Sequence, residues 1–422
     1  MLKNKVFKNL HSKQFKNFLI YGLGQVVNLI SPLLVLPYII TICGEEGIGK
    51  AGVGFSFALI AIVLVDCGSY INGTKSIAIN INNKLILQEK FIVVYLAKFI
   101  ILIIVLILCL LIIYNIPFFK KDACQFVFSL LIIVGQFLNP TWFLQGTQNF
   151  KWISIINFLS KIIYVITILL FIKNSKDYIY INALLGISSI IASMIGFCKT
   201  YSQYSISFRN IPFKKAIELI KEEFSLTISQ LFFSLYQYAP IILVSFTCGN
   251  FMAGQFRIVD QVIMIFRTYF QMFFNFIYPS VCFKIHINIK SGLNYWKSNN
   301  VLNYMIILIL LMFFSYYTEF ILIFLKVAKT ELPKLVTLFR VGLLIPVFMG
   351  ISFTLKQLIF AFNKNEIYIK TTILSTILSL LTMYLFLRNI GLLGAFLTTI
   401  IIEFFIIITY LVILRKYLLR TK

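Results

Sequence analysis

The stretch Gly254–Pro279, GQFRIVDQVIMIFRTYFQMFFNFIYP, decides the fold class of this chain. It is long enough to cross a bilayer as a helix, because a span needs roughly 20 mostly apolar residues. At about 100° per residue, its polar side chains fall within one wedge of roughly 120°. They are Arg257, Asp260, Gln261, Arg267, Thr268, Gln271 and Asn275. A charge at the bilayer centre costs about 2.5 to 3.5 kcal/mol on insertion scales, so we expect this face to meet protein or water.

The composition indicates an integral membrane protein. Of the 422 residues 60% are hydrophobic and only 12% are charged, and the mean hydropathy of +0.93 excludes an ordinary soluble globule. The net charge of +24 does not indicate nucleic-acid binding, because no basic run is interleaved with stacking aromatic residues. The seven cysteines form no CxxC pair, so we expect neither a disulfide framework nor a metal site. We also expect no cofactor.

Apolar runs predict an all-α fold of about twelve transmembrane helices. Basic amphipathic segments at 1–17 and 211–224 precede each set of six, and we expect them to lie on the membrane surface. Pro346 and Gly350 predict a bend in the tenth span. The predicted spans are 18–42, 51–70, 91–116, 123–144, 151–172, 178–200, 224–248, 252–283, 299–325, 335–361, 368–388 and 391–415, with a loop at 44–50 inside the first hairpin.

The distribution of lysine and arginine predicts the orientation. With both termini on the cytoplasmic side, the cytoplasmic segments hold 23 of these residues and the outer loops hold 9. This asymmetry is typical of a multi-pass protein of the bacterial cytoplasmic membrane with both termini inside.

A weak internal repeat supports two halves, 1–205 and 206–422. A shift of 205 residues without gaps superimposes Gln25 on Gln230, Gly44 on Gly249 and Gly49 on Gly254, and also pairs the cysteines at 43 and 248. Because each half contains an even number of spans, the halves would be parallel six-helix bundles related by an axis along the membrane normal, with a cavity between them.

Polar residues inside the spans are the candidate pathway residues. Lys98 and Lys161 fit either the protein interior or a snorkelling position near a helix end. All of these charges could instead lock helices together. The candidates are Arg257, Arg267, Asp260, Arg340, Lys161, Lys98 and Lys356, with Gln25, Asn28, Gln230, Gln237, Gln271 and Asn275 as hydrogen-bonding groups, and with Asp66, Asp260 and Glu403 as ion-coupling candidates.

Several segments resemble one family, the Wzx-type polysaccharide flippases of the multidrug, oligosaccharidyl-lipid and polysaccharide exporter superfamily. The resemblance covers nearly the whole chain, although QFRIVDQV departs from the small residues and glutamate that such proteins usually show there. The similar segments are NFLIYGLGQVVNLISPLLVLPYI, CGEEGIGKAGVGFSFA, DCGSYINGTKSIA, NPTWFLQGTQNFKWISIINFLSKI, SLYQYAPIILVSF, GQFRIVDQV, FIYPSV and GLLGAFLTTIIIE.

This resemblance implies a V-shaped twelve-helix fold. It also implies translocation of undecaprenyl-diphosphate-linked oligosaccharide units from the cytoplasmic to the outer leaflet, for O-antigen, capsule or another surface polysaccharide. The implied partners are that substrate, membrane lipids, and the polymerase and chain-length proteins of the same pathway. A cationic lumen suits the diphosphate, because guanidinium groups form forked contacts with phosphate oxygens. Alternating access, driven by an ion gradient, is the implied cycle.

Two other functions fit the sequence less well. A multidrug exporter of the same superfamily often carries cationic substrates and would favour acidic rather than basic walls. A membrane glycosyltransferase or polymerase would need catalytic carboxylates on a sizeable external loop, and the outer loops predicted here are short. The chain also has no GxxxxGK[ST] motif. The sequence therefore predicts a transporter and not an enzyme.

Overall fold

The described part of this computed structural model consists of helices and short connections. It covers the backbone of residues 2–206 and 213–418, and the side chains of residues 24, 31–206 and 213–415. The helices are α1 (Leu2–Asp66), α2 (Thr74–Ile79), α3 (Lys84–Asn115), α4 (Pro117–Lys120), α5 (Ala123–Leu138), α6 (Thr141–Gly146), α7 (Phe150–Phe171), α8 (Tyr178–Gln203), α9 (Phe213–Cys248), α10 (Asn250–Ile287), α11 (Ile289–Tyr316), α12 (Thr318–Phe324), α13 (Leu332–Gly342), α14 (Leu344–Ala361), α15 (Asn365–Ile390) and α16 (Leu392–Leu418). A π-helix, Ser69–Gly73, follows α1.

Helix α1 contains two arms separated at a single residue. Gly44 has φ 70° and ψ 177°, which breaks the helix, and the second arm continues to Asp66. The loop predicted at 44–50 was therefore wrong, because residues 45–50 are helical. One glycine with positive φ is enough to turn the chain here, because glycine has no Cβ to clash in that region.

Ten segments in the described part are long and apolar enough to cross a membrane, which makes this a multi-pass membrane protein. Two features bring this number to the predicted twelve. The segment Ser31–Asp66 counts once although Gly44 divides it. Helix α10 has 38 residues and so extends about 57 Å, but its polar stripe lowers its mean hydropathy and it is not among the ten.

Two predicted local features differ in detail from the structure. The tenth span is divided into α13 and α14 at Leu343. Its break therefore comes before Pro346, which lies in the first turn of α14, where proline is well tolerated. The lead-in predicted at 211–224 is continuous with the seventh span from Phe213 onward. The segment 1–17 is helical from Leu2, and its side chains lie outside the described residues.

Contacts group the chain into two compact units, and neither unit is a continuous run of sequence. The first consists of the residues up to Cys43 together with Gly54–Ser234. The second consists of Gly44–Val53 and the residues from Leu235 onward. The division of the sequence at 205/206 stays a prediction.

Local backbone features recur at the predicted repeat distance of 205 residues. Gly249 has φ 90° and ψ 169°, close to the values of Gly44, and it likewise precedes a transmembrane helix. Asn83 and Asn288 both cap a helix, since each side-chain oxygen accepts a hydrogen bond from the backbone N–H three residues later. Matched turns and caps at one fixed offset are stronger support for a repeat than the sequence identities alone.

The cysteines paired by the repeat also make similar contacts. Within the first unit, the Cys43 thiol lies 3.8 Å from the Asn174 carbonyl oxygen. Within the second unit, the Cys248 thiol lies 3.8 Å from the Leu387 carbonyl oxygen. Both acceptors belong to the C-terminal end of the fifth span of their repeat, or to the residues just after it.

Two helices of the second unit cross at a pair of glycines. A Cβ on Gly49 would lie 1.9 Å from the backbone oxygen of Asn250, and a Cβ on Gly254 would lie 1.9 Å from that of Glu45. Positions 49 and 254, like positions 45 and 250, are related by the 205-residue shift. The second arm of α1 and helix α10 therefore meet backbone to backbone in a reciprocal contact, which we call the glycine crossing.

Candidate functional site

Helix α10 packs its apolar face into the second unit and leaves its polar stripe more accessible. Ile258, Val262, Phe266, Phe270 and Phe274 are buried. On the polar side Arg257, Asp260, Arg267 and Thr268 are half-buried and Gln271 and Asn275 are exposed, whereas Gln261 is buried. The predicted amphipathic pattern is therefore present on the helix, with the charged groups away from its packed core.

Arg257 and Asp260 form an ion pair one helical turn apart. The Nη1···Oδ2 distance is 3.7 Å, and each side chain is 15% exposed. The stem of Arg257 lies against Gly52, where an added Cβ would be 3.4 Å from the arginine Cδ. The two opposite charges therefore compensate each other in this part of the stripe.

Arg267 is less fully satisfied than Arg257. Its Nη1 is buried and has no hydrogen-bond partner among the described residues. Asp260 and Glu403 are both within electrostatic range of this guanidinium group, yet neither forms an ion pair with it in the described part of the chain. Arg267 thus presents a partly desolvated positive charge with a free donor.

Glu403 joins three helices of the second unit. It is 3% exposed. Tyr236 Oη of α9 donates to Glu403 Oε1 at 2.9 Å, and Ser352 Oγ of α14 donates to Oε2 at 2.7 Å. Both donors are neutral hydroxyl groups, which can serve an ionised carboxylate and can rearrange around a protonated one.

Lys356 lies inside a cage of aromatic rings. Its Nζ is 4.7 Å from the ring centroid of Tyr368, 5.2 Å from that of Phe353, 5.5 Å from that of Phe274 and 5.8 Å from that of Phe360. Cation–π attraction in a desolvated position is worth on the order of 2 kcal/mol. The cage therefore fixes the ammonium group at a position from which its charge acts on Glu403.

The remaining candidates of the second half are dispersed. Gln271 Nε2 donates to Asn275 Oδ1 at 3.2 Å on the exposed face of α10. Gln237 is half-buried in α9, and Arg340 is exposed in the last turn of α13. Gln230 is half-buried in α9, but it belongs to the first unit.

In the first unit, the structure brings Asp66 and Lys98 together. Lys98 Nζ lies 3.1 Å from Asp66 Oδ1, and the lysine side chain is 0% exposed. Gln136 Nε2 donates to the other carboxylate oxygen at 3.4 Å and to Tyr70 Oη at 3.0 Å. The geometry is that of a buried ion pair, so Lys98 neither snorkels nor stands free.

Of the three remaining candidates in the first half, only Lys161 has a described side chain. Lys161 is half-buried in α7. On the same helix, Ser154 approaches Gly24 of α1 so closely that a Cβ on the glycine would lie 2.9 Å from the serine Oγ. The side chains of Gln25 and Asn28 lie outside the described residues.

Sequence reasoning missed the hydroxyl partners of Glu403. Ser352 and Lys356 are four residues apart, so one face of α14 carries both, and this spacing was a usable signal. Tyr236 lies within SLYQYAP, next to the candidate Gln237, but it was not itself a candidate. The described residues contain no group of three or more His, Cys, Asp or Glu that could hold a metal ion.

Comparisons with known proteins agree with the fold. The family model described as polysaccharide biosynthesis protein matches residues 15–283. A putative O-antigen transporter of Escherichia coli K12 is 22% identical over 277 residues, which is 66% of this chain and 67% of that protein.

Two solved transporters have the same fold at low sequence identity. An inward-facing multidrug resistance MATE family transporter of the MOP superfamily has a TM-score of 0.73 and 14% identity, covering 93% of this chain and 95% of that one. The lipid II flippase MurJ, in an inward closed conformation, has a TM-score of 0.71 and 15% identity, covering 95% and 87%. The predicted all-α transporter fold is therefore confirmed.

Proposed function

Because the chain belongs to the polysaccharide biosynthesis protein family, we propose that it is a flippase for lipid-linked oligosaccharides. The substrate would be an undecaprenyl-diphosphate-linked glycan repeat unit that moves from the cytoplasmic to the outer leaflet of the bacterial cytoplasmic membrane. The protein would act by alternating access, as a transporter rather than an enzyme. The product would serve the synthesis of O-antigen, capsule or another surface polysaccharide.

The observation that carries this proposal is the unpartnered Nη1 of Arg267 on the polar stripe of α10. A diphosphate is the one strongly anionic part of such a substrate, and arginine binds phosphate oxygens through parallel N–H donors. Arg257 lies ten residues earlier on the same stripe and supplies a second guanidinium group. Gln271 and Asn275 extend the stripe with amide groups that suit sugar hydroxyls.

The test is complementation of a strain that lacks the gene. We expect Arg267→Ala and Arg257→Ala to abolish or strongly reduce surface polysaccharide while protein levels in the membrane stay normal. Arg388→Ala is the matched control, because that arginine is in the same unit and its guanidinium lies 4.8 Å from the ring centroid of Tyr384, away from the stripe. Wild-type surface glycan in both stripe variants would refute the assignment.

Among the ion-coupling candidates, the geometry favours Glu403. Asp66 and Asp260 each have a basic partner, Lys98 and Arg257. Protonating either acid would leave a cation uncompensated in the protein, which is costly. Glu403 accepts hydrogen bonds from two neutral hydroxyl groups, and Arg267 and Lys356 act on it only electrostatically, so protonating it would break no direct ion pair among the described residues.

Flipping measured in vesicles, with the proton and sodium gradients collapsed separately, tests this coupling. We expect one of the two treatments to stop net transport by the native protein. A Glu403→Gln variant should transport at a rate that no longer depends on that gradient. Indifference of the native protein to both gradients would exclude coupling.

A multidrug exporter remains the second candidate in this superfamily, because one structural neighbour carries that name. The basic stripe and the caged Lys356 do not suit cationic drugs. Drug efflux that survives in Arg267→Ala, in cells with normal surface glycan, would favour the exporter.

A further inference from the structure

Three oxygen-bearing side chains of the second unit meet beside the glycine crossing. Glu45 is the first residue after the break at Gly44, Gln255 lies in the second turn of α10, and Glu331 directly precedes α13. Gln255 Nε2 donates to Glu331 Oε2 at 3.0 Å, and the same side chain contacts the Glu45 carboxylate. The backbone N–H of Ala328 donates to Glu45 Oε1 at 3.4 Å.

Two oxygens of this group are buried without a partner. Glu45 is 5% exposed and Gln255 is 0% exposed. Glu45 Oε2 and Gln255 Oε1 have no hydrogen-bond partner among the described residues. A buried acceptor that receives no hydrogen bond costs roughly 1 to 3 kcal/mol, and native proteins rarely leave one without compensation from a donor or a cation.

The charges of the group are also unbalanced. Neither Glu45 nor Glu331 forms an ion pair with lysine or arginine in the described part of the chain, although Lys50 nearby pairs with the exposed Glu46 at 3.2 Å. Both acids stand at the start of a helix, where the helix dipole favours the ionised carboxylate. Two carboxylates bridged by one neutral amide therefore have no basic side chain paired with them in the described part of the chain.

The turn next to this group is open. A Cβ on Gly44 would find no heavy atom within 4 Å. Glu331 is half-buried and keeps part of its carboxylate accessible. A cation that enters on the side of Glu331 could therefore keep water as a ligand.

We propose that Glu45, Gln255 and Glu331 bind a divalent, oxygen-preferring cation, Ca²⁺ or Mg²⁺. Glu45 Oε2 and the second oxygen of Glu331 are protein ligands, Gln255 Oε1 becomes the third when the amide turns over so that its oxygen rather than Nε2 faces the carboxylates, and water completes the coordination. Two carboxylates neutralise a divalent ion, and Ca²⁺ accepts carboxylate and amide oxygens in flexible geometry, whereas Mg²⁺ usually binds one or two carboxylates and retains water. The bound ion would join the second arm of α1, α10 and the start of α13 around the glycine crossing.

The experiment uses the purified full-length protein in detergent after treatment with chelator. Thermal unfolding is followed while CaCl₂ or MgCl₂ is added, with NaCl at equal ionic strength as the control. We expect a saturable rise in Tm with at least one divalent ion and none with sodium. The comparison of calcium with magnesium identifies the preferred ion. Because the readout is binding and stability, it does not depend on the proposed transport function.

Three variants locate the effect. Glu331→Gln and Glu45→Gln should each remove the divalent-dependent rise in Tm. Glu46→Gln is the matched control and should retain it, because its side chain is 60% exposed and points to Lys50. Terbium luminescence, displaced by calcium in the native protein and absent in Glu331→Gln, gives a second measurement if Glu45→Gln fails to fold.

Two outcomes overturn the proposal. In the first, the native protein gains no stability from either divalent ion and binds no terbium. In the second, both carboxylate variants keep the full response. Acidification that stabilises the native protein while divalent ions do not would assign the two unpartnered oxygens to a shared proton instead.

Discussion

A single methyl group added at the glycine crossing should destabilise the protein strongly. In Gly49→Ala the new Cβ would lie 1.9 Å from the backbone oxygen of Asn250, and in Gly254→Ala it would lie 1.9 Å from that of Glu45. Ordinary van der Waals contact begins near 3.4 Å. The two helices would therefore have to separate by about 1.5 Å, since a backbone carbonyl cannot rotate away as a side chain does.

The expected loss in free energy of unfolding depends on whether the new Cβ meets a backbone atom or a side-chain atom. Overpacking typically costs 1 to 3 kcal/mol and occasionally more, so we expect about 3 kcal/mol or more for Gly49→Ala and for Gly254→Ala. Replacing a helical glycine by alanine returns up to about 1 kcal/mol of helix propensity. At Gly52 the added Cβ would be in ordinary contact with the Arg257 stem at 3.4 Å, and the one closer atom is the Ile241 Cδ1 methyl, at 2.7 Å. That flexible methyl can move, so Gly52→Ala should be close to neutral.

The assay is thermal unfolding in detergent, followed by fluorescence-detected size-exclusion chromatography. Gly49→Ala and Gly254→Ala should lower Tm by several degrees, and Gly52→Ala should not. The double variant should be less destabilised than the sum of the single variants, because one separation of the helices relieves both contacts. The reasoning is refuted if both single variants unfold with the native protein, or if Gly52→Ala is equally damaged.

Three further predictions concern the charge pair, the helix caps and the orientation. Asp66→Asn should lower the free energy of unfolding by about 3 to 5 kcal/mol, because Lys98 would stay buried without its counter-charge. The double variant Asp66→Asn/Lys98→Met should recover much of the lost Tm. A double variant with no recovery would contradict a simple ion pair. Asn83→Ala and Asn288→Ala should each lower the free energy of unfolding by about 0.5 to 2 kcal/mol, because the helix loses its cap. A glutamine substituted at an exposed position of α3 or α11 that caps no backbone group should leave Tm unchanged. Green fluorescent protein fused to the C-terminus should fluoresce and alkaline phosphatase fused there should be inactive, and the opposite pattern would reverse the orientation.

The transmembrane helices were predictable because their apolar runs are long. The charges of α10 lower its mean hydropathy, but its sequence still predicts a span. Arg257 and Arg267 fall on one face of the helix, and Ile258 and Phe266 fall on another. The amphipathic pattern predicts such a helix even where mean hydropathy does not, because the pattern shows which face packs against the protein core.

Helix breaks were less predictable, because they depend on one or two backbone angles. GEEGIGK contains three glycines and resembles a loop, yet only Gly44 has non-helical backbone angles. Gly49 is present for a different reason, the close approach of α10. A sequence does not distinguish a glycine needed for positive φ from one needed for space.

Partners that lie on different helices could not be predicted from the spacing of charged residues along the sequence. Arg257 and Asp260 are three residues apart on one helix, a spacing that brings the two side chains together, and they form an ion pair. Lys98 and Asp66 are on different helices, and their pairing depends on how α3 packs against the end of α1. The same holds for Glu403, whose hydroxyl partners come from two other helices.

The composition of the two units has a consequence for the origin of the chain. The second repeat begins with Phe213–Ser234, which joins the first unit, while Gly44–Val53 of the first repeat joins the second unit. Each half of the sequence therefore contributes one segment to the unit that consists mainly of the other half. A protein made of one half alone would lack a segment of its own unit and could obtain it only from a second copy. We therefore expect a six-span ancestor of this architecture to have been an obligate dimer, and co-expressed separate halves to reassemble.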